Sequence, residues 1–202
     1  NQPTFQTMLP SPQQTFKDLV ERFVLIESSG DIDEFRQRKW GRFELVDELS
    51  QEQRLLSLSL EEAELIFRGL PIPQSNRSRF LSNSIENIRE SLWFLLYGEA
   101  PYEIRAWELL DELGGYRLVG VDRQFVSALL CIKDPLLFGL ANARVERALR
   151  RLRLLPKFDS KESNAGKLQK VQEALWRVSQ AGGFSDFTIT DDFLESLDRN
   201  IL

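Results

Sequence analysis

The chain has 202 residues but contains no histidine and only one cysteine. Histidine is the commonest metal ligand and the side chain that titrates closest to neutral pH, so its absence removes the usual zinc site and the usual acid–base catalyst. A single thiol, Cys131, cannot form an internal disulfide or hold an iron–sulfur cluster. The acidic residues also lack the spacing of a calcium-binding loop. We therefore predict that the protein holds no metal ion and no cofactor.

Long apolar runs and a surplus of positive charge are also missing. No segment reaches the roughly 20 apolar residues that span a bilayer, and no signal-peptide pattern is present, so we predict a cytoplasmic protein that binds no membrane. Asp and Glu outnumber Lys and Arg by 31 to 26, which gives a formal net charge of −5. Because affinity for phosphates grows with the number of cations that displace counterions, the protein is not expected to coat nucleic acid. Any contact with DNA must be local.

The apolar residues, with alanine, make up 42% of the chain and recur mainly at helical spacing. The sequence predicts an all-α, multi-helix globular domain. Residues 1–14 contain three prolines and are predicted to form a flexible arm. Residues 15–202 are predicted to form one helical domain, built either as a single body or as two lobes at about 15–70 and 80–202. Thr190 is predicted to cap the last helix.

A tight turn is predicted between Leu118 and Val121, directly before a helix. Gly120 lies between two β-branched residues, where the backbone is expected to be left-handed or to approach another segment closely. Backbone amides at the start of the next helix, around residues 122–124, have no partner within the helix and suit an anion such as a DNA phosphate. This pattern is typical of a helix-hairpin-helix element. The alternative is that Gly120 only lets two helices meet at a sharp angle.

Residues 118–152 resemble the helix-hairpin-helix DNA glycosylases. That family has a hydrophobic-x-Gly-hydrophobic-Gly hairpin followed by a catalytic lysine, and later a Val-Asp-x-x-Val-x-Arg helix start that carries a catalytic aspartate. In this sequence the lysine position falls on Gln124 and the aspartate position on Asn142, eighteen residues later. Three further positions match the pattern: Ser127, Val145 and Arg147. A looser resemblance, through Asp134-Pro135 and the helix led by Asn142, is to helical domains of uncharacterised bacterial proteins, some of them linked to restriction and defence.

The departures from the glycosylase pattern remove its chemistry. Attack on the sugar carbon needs an amine, and the positive charge that develops there needs a carboxylate, whereas the amides of Gln124 and Asn142 cannot ionise. Asp122 replaces the second hairpin glycine, and its charge weakens a phosphate contact unless Arg123 offsets it. We predict a module without catalytic residues. An active glycosylase would need another carboxylate, for which Asp122 and Asp134 are the candidates.

An arginine-rich helix follows the hairpin. Arg144, Arg147 and Arg151 recur at positions i, i+3 and i+7 and form a stripe beside the apolar face of the helix. In an acidic chain, such a stripe next to a phosphate-binding turn indicates a DNA-binding surface. The predicted contact residues are Gly120, Arg123, Gln124, Asn142, Arg144, Arg147, Arg150 and Arg151. The alternative is that the stripe is ion-paired to acidic residues of the same fold.

A second basic segment, residues 70–79, carries Arg77 and Arg79 among prolines and polar residues. It is either a binding loop or a solvated connection between helices. Together these patterns favour a non-catalytic DNA-binding or DNA-structure-sensing module that contacts the phosphate backbone. The alternative is an interaction or scaffold domain of a bacterial defence or restriction system, with a protein as its partner. The two differ in whether the arginine stripe is free or covered by acidic side chains.

Overall fold

The computed structural model describes residues 12–202, in which all regular secondary structure is helical. This confirms the predicted all-α fold. The predicted arm falls mostly on residues 1–11, which lie outside the described residues, whereas residues 12–14 belong to the first helix. The helices are α1 (Pro12–Ser29), α2 (Asp33–Trp40), α3 (Phe43–Leu49), α4 (Glu52–Leu56), α5 (Leu60–Gly69), α6 (Arg77–Leu81), α7 (Ile85–Tyr97), α8 (Tyr102–Leu110), α9 (Arg123–Lys133), α10 (Ala143–Arg151), α11 (Asn164–Gly182) and α12 (Phe187–Asp198).

The helices that carry the predicted site both begin at a side-chain cap. The carboxylate of Asp122 accepts a hydrogen bond from the amide of Phe125 at 3.0 Å, which starts α9. The Oδ1 atom of Asn142 accepts one from the amide of Val145 at 2.9 Å, which starts α10. Asp and Asn are favoured at such positions because they satisfy an amide that has no partner within the helix. The two caps therefore fix the position of Gln124 in the first turn of α9 and the start of the arginine stripe in α10.

The last helix begins earlier than its sequence suggested. Asp186 is the cap of α12, because its carboxylate accepts from the amides of Thr188 at 2.8 Å and Ile189 at 3.1 Å. The prediction of Thr190 as the cap is wrong. Thr190 is buried inside the helix, and its hydroxyl donates to the carbonyl of Asp186 at 3.0 Å. The earlier start adds a full turn, which orients the acidic residues that follow.

Helix α9 lies at the centre of the core. All of its residues from Phe125 to Ile132 are buried, as expected for a helix that is apolar on every side. Phe67 of α5, Phe80 of α6 and Phe125 of α9 pack with ring centroids 5.1 to 5.6 Å apart. These aromatic contacts bring the segment between α5 and α6 next to the start of α9.

The first helix packs against the last. Phe23 of α1 lies edge-on to Phe193 of α12 with ring centroids 5.6 Å apart, and α12 also packs along α10 and α11. Helices α3 to α7 contact one another and join the rest through α9 and α8. Helix α1 therefore packs across the boundary that the sequence suggested between two lobes. One cluster of buried apolar side chains runs from Phe23 to Leu202.

The turn before α9 packs against α6. Gly120 has a φ of +80°, and a Cβ atom there would lie 2.6 Å from the backbone nitrogen of Phe80. The side chain of Asn83 holds the turn, because its Nδ2 donates to the carbonyl of Val119 at 2.9 Å and its Oδ1 accepts from the Val119 amide at 3.1 Å. Glycine is required here both by the left-handed backbone and by the close approach. Since α8 already ends at Leu110, the helix-hairpin-helix identity of the element stays a prediction.

We predict that Gly120→Ala lowers the free energy of unfolding by about 2 to 4 kcal/mol, because it adds left-handed strain and a contact with the α6 backbone that cannot relax. Urea unfolding at pH 7 measures the change. Gly115→Ala is the matched control, since a Cβ atom there meets only a carboxylate oxygen of Glu108 at 3.4 Å. Its expected change is below about 0.5 kcal/mol. Equal losses in the two variants would contradict the close packing of the turn.

Candidate functional site

Gln124 and Asn142 lie together in a cleft at the starts of α9 and α10. Two cavities of about 550 and 400 Å³ share Gln124, Asn142 and Ala143 in their walls. We call these two cavities the amide cleft. The larger one is also bounded by residues 70–74, and the smaller one by Arg117 and the turn that precedes α9. The structure thus brings to one site the two positions that the glycosylase resemblance singled out.

The two amides keep hydrogen-bonding capacity for a ligand. Asn142 uses its Oδ1 as the α10 cap, and its NH₂ group has no protein partner within residues 12–202. The side chain of Gln124 makes no hydrogen bond to any described residue. A neutral amide donates and accepts hydrogen bonds but does not ionise. The pair can therefore hold a polar group, and it cannot serve as a nucleophile, an acid or a base.

A buried hydroxyl fixes the spacing of the two helix starts. Ser127 donates to the carbonyl of Gln124 at 3.1 Å and accepts from the amide of Ala141 at 2.9 Å. Gln172 of α11 also holds the segment between α9 and α10, since its amide group exchanges hydrogen bonds of 2.9 and 2.7 Å with the backbone of Gly139. Both side chains are buried. The relative position of Gln124 and Asn142 therefore depends on polar contacts in the core.

Lys39 lies in the wall of the larger cavity but belongs to a buried ion cluster. Its Nζ atom is 2.6 Å from Asp191, 2.8 Å from Asp192 and 2.7 Å from Glu195. We call these three residues of α12 the α12 acid cluster. Burial by itself would lower the pKa of Lys39, but the three carboxylates raise it above its ordinary value. Lys39 is therefore an ammonium group at neutral pH and cannot replace the missing nucleophilic amine.

Arg144, the first residue of the predicted stripe, also contacts the α12 acid cluster. Its guanidinium donates to both oxygens of Asp191, at 2.9 and 3.0 Å, and to Glu195. Burial alone would raise the pKa of Asp191, but the charges and hydrogen bonds of Lys39 and Arg144 bring it below its ordinary value. The pKa of Glu195 is lowered for the same reasons. The charge of Arg144 is thus compensated inside the protein.

Helix α12 covers most of the remaining stripe as well. Arg147 makes a two-pronged contact with Asp198, with both distances 2.9 Å, although its side chain is 55% exposed. Arg151 donates to the carbonyl of Leu197 and, at 3.0 Å, to the side chain of Asn200. The stripe is therefore paired with acidic and carbonyl groups of its own fold. Arg150 is exposed and makes no ion pair with the described residues.

The other predicted residues are placed as follows. Gly120 faces the backbone of α6 rather than the cleft. Arg123 lies in the wall of the smaller cavity, 3.7 Å from Glu146. Asp122 also lines that cavity, but its carboxylate is engaged as the α9 cap. Asp134 follows the other end of α9, about 15 Å from Gln124 along the helix axis. Asp122 thus uses one carboxylate oxygen as the cap, whereas Asp134 lies outside the walls of the cleft.

Two arginines on the segments that meet at Gly120 keep a free charge. Arg117 is exposed and lies in the wall of the smaller cavity. Arg79 is exposed on α6, and its backbone lies against Gly120. Neither forms an ion pair with a residue in 12–202. Sequence reasoning noted Arg79 within a basic loop and missed Arg117, because Arg117 stands alone in the chain and only the fold brings it to the cleft.

We predict that Ser127→Ala lowers the free energy of unfolding by about 1 to 3 kcal/mol, because the buried amide of Ala141 loses its acceptor. Ser57→Ala is the control, since that hydroxyl is exposed and its one contact, with a carbonyl, is 3.5 Å long. Urea unfolding measures stability. In the variant, the amide resonances of Gln124 and Ala143 should also shift, as recorded by NMR. Unchanged stability and unchanged resonances would show that the hydroxyl does not position the cleft.

We predict that stability falls as the pH drops below about 4. The pKa values of Asp191 and Glu195 are lower in the folded protein than in the unfolded chain, so their contribution is present above the unfolded value of about 4 and is lost as pH falls through the folded value.

Asp191→Asn should cost about 3 kcal/mol at pH 7, because it leaves buried cations short of a partner, and should flatten the loss of stability below about pH 4. Urea unfolding at several pH values tests both statements. Glu34→Gln, which removes an exposed ion pair with Arg38, should match the unaltered protein. A variant at Asp191 with the same acid slope as the unaltered protein would refute this account.

No helix within residues 12–202 has both the length and the hydropathy needed to cross a bilayer. In the same residues, no group of three or more acidic or cysteine side chains is arranged to hold a metal ion. Comparisons of the chain with protein-family models, with curated proteins and with solved structures find no match.

Proposed function

We propose that this chain is a non-catalytic module that binds DNA through the phosphate backbone, with the amide cleft facing the bound strand. The observation that carries the proposal is the placement of Arg79 and Arg117. Arg117 lies on the segment that leads into Gly120, and Arg79 lies on α6, against which Gly120 packs. Both are exposed, and both lack an ion pair within the described residues. Free guanidinium groups suit phosphate because they bind it with paired hydrogen bonds.

The rigidity of this surface supports the proposal. The turn that follows Arg117 is fixed to the segment after α6 by the two hydrogen bonds of Asn83, and Gly120 packs directly on the α6 backbone. Arg79 and Arg117 are thus carried by backbone segments that cannot separate without breaking these contacts. A preorganised pair of cations loses less conformational entropy when it binds than two independent side chains do.

The chemistry of the cleft favours binding without cleavage. Gln124 and Asn142 are neutral, Lys39 is held as an ammonium group by three carboxylates, and Asp122 is used as a helix cap. Phosphate contacts position a protein on DNA but carry no base information. We expect weak dependence on sequence, with at most a local preference set by hydrogen bonds from the two amides.

The paired arginine stripe limits the affinity. Because Arg144, Arg147 and Arg151 are engaged with α12, only a few cations remain for phosphate contacts. The logarithm of affinity falls with the logarithm of salt concentration with a slope of about −0.9 for each phosphate contact. Two to four contacts therefore give a slope of about −2 to −3.5.

We predict that the double variant Arg79→Ala/Arg117→Ala binds a fluorescent 20-base-pair duplex at least about tenfold more weakly in low salt and has a salt slope shallower by about 2. Fluorescence anisotropy between 50 and 200 mM salt measures both quantities. Lys17→Ala/Arg22→Ala is the charge-matched control, since both side chains are exposed on α1, away from the walls of the cleft. Loss of binding in this control as well would show only a general charge effect and refute the placement.

A protein-interaction or scaffold domain, of the kind found in bacterial defence or restriction systems, is the second candidate. The specific observation in its favour is the pairing of the arginine stripe with α12, which compensates most of the charge of the stripe within the fold. The duplex-binding assay distinguishes the two candidate functions. Absence of duplex binding by the unaltered protein at 50 mM salt would remove the DNA proposal and leave the scaffold domain.

A further inference from the structure

Arg153 occupies a backbone position that favours glycine. It follows α10 with a φ of +59°, and the amide of Leu154 donates to the carbonyl of Leu149 at 2.8 Å across it. The amide of Arg153 itself donates to Arg150 at 3.0 Å. These two hydrogen bonds define a Schellman motif, in which the left-handed residue is usually glycine because a Cβ atom is unfavourable there. A side chain at this position therefore reduces stability.

No contact of the Arg153 side chain compensates for this loss of stability. Its side chain is exposed and forms no ion pair or hydrogen bond with the described residues. A residue that breaks a local preference without a compensating contact is a candidate for function, because strain persists where a site uses it.

Arg153 lies in the wall of a cavity of about 340 Å³ between the end of α10 and α11. Lys157 and Arg177 lie in the same wall and, like Arg153, have no ion-pair partner within residues 12–202. A fourth cation, Lys170, is paired with Glu162 at 3.0 Å. The remaining wall is apolar and includes Leu154, Leu155 and Ala174, with Glu173 as its one carboxylate. Three unpaired cations thus share the wall of a cavity that also has an apolar side.

We propose that this cavity binds a small phosphate monoester, with its phosphate among Arg153, Lys157 and Arg177 and its organic part against Leu154 and Leu155. A dianion matches three cations better than a single carboxylate does, and two guanidinium groups can each bind phosphate oxygens in pairs. The cavity shares no wall residue with the amide cleft. The site is therefore independent of the proposed DNA binding.

Isothermal titration with inorganic phosphate and with phenyl phosphate tests the site in the full chain. We expect phenyl phosphate to bind with a dissociation constant of about 1 mM or below, and about five- to tenfold more tightly than inorganic phosphate because its ring covers the apolar wall. Arg177→Gln and Arg153→Gly should each weaken phenyl phosphate binding about tenfold. Arg22→Gln, which removes an exposed charge on α1, should leave it unchanged.

Stability gives a second, independent readout. Arg153→Gly should raise the melting temperature by about 2 °C while binding is lost, because glycine suits the left-handed position. A lower melting temperature would show that Arg153 has a structural role and would overturn the proposal. So would the absence of phenyl phosphate binding, or binding that is unaffected by both variants. Dependence on Arg153 for a 5′-phosphorylated oligonucleotide but not for phenyl phosphate would assign the cavity to nucleic acid and overturn the small-molecule site.

Discussion

Lys39 lies where α2, α10 and α12 meet, and its ammonium group contacts all three carboxylates of the α12 acid cluster. Three neighbouring carboxylates could not remain ionised in the core without cations beside them, because an isolated buried charge costs several kcal/mol. Arg144 supplies the second buried cation, and Arg36 reaches the cluster from the same helix as Lys39. This charge balance permits α12 to lie in the core, against both α1 and α10. The position of α10, and with it that of Asn142, depends on the same balance.

The cluster also determines what the cleft can do. Lys39 and Arg144 both line the larger cavity, yet their charge is directed at α12 and compensated there. In the larger cavity, neutral amides from Gln124 and Asn142 therefore lie beside cations that are already paired, whereas the wall of the smaller cavity includes the unpaired Arg117. Neither the two amides nor the paired cations can activate a nucleophile, since activation needs a basic group whose pKa lies near the working pH. The buried ion pairs thus compensate the charges of Lys39 and Arg144 beside the larger cavity.

The sequence predicted the features that depend on neighbouring residues. The helical fold followed from apolar periodicity, and the left-handed Gly120 followed from its turn context. The pairing of the arginine stripe required knowledge of the partner helix. A signal was present, because Asp191, Glu195 and Asp198 recur at i, i+4 and i+7 and so lie on one face of their helix, as the arginines of the stripe do. It could be interpreted only after α10 and α12 were known to pack side by side, and spacing within one helix does not determine its neighbour.

The arginines around α10 show that charge alone does not define a binding surface. Releasing Arg144 would leave Asp191 buried without one of its partners, at a cost of about 3 to 5 kcal/mol. Releasing Arg147 from Asp198 costs less, because the Arg147 side chain is 55% exposed and water screens its charge. A charge-assisted hydrogen bond to a phosphate contributes about 1.5 to 3 kcal/mol. A single phosphate contact can therefore offset the cost of releasing Arg147 but not the cost of releasing Arg144. Arg147 is therefore held less firmly than Arg144, and it is Arg144 that holds α12 in place.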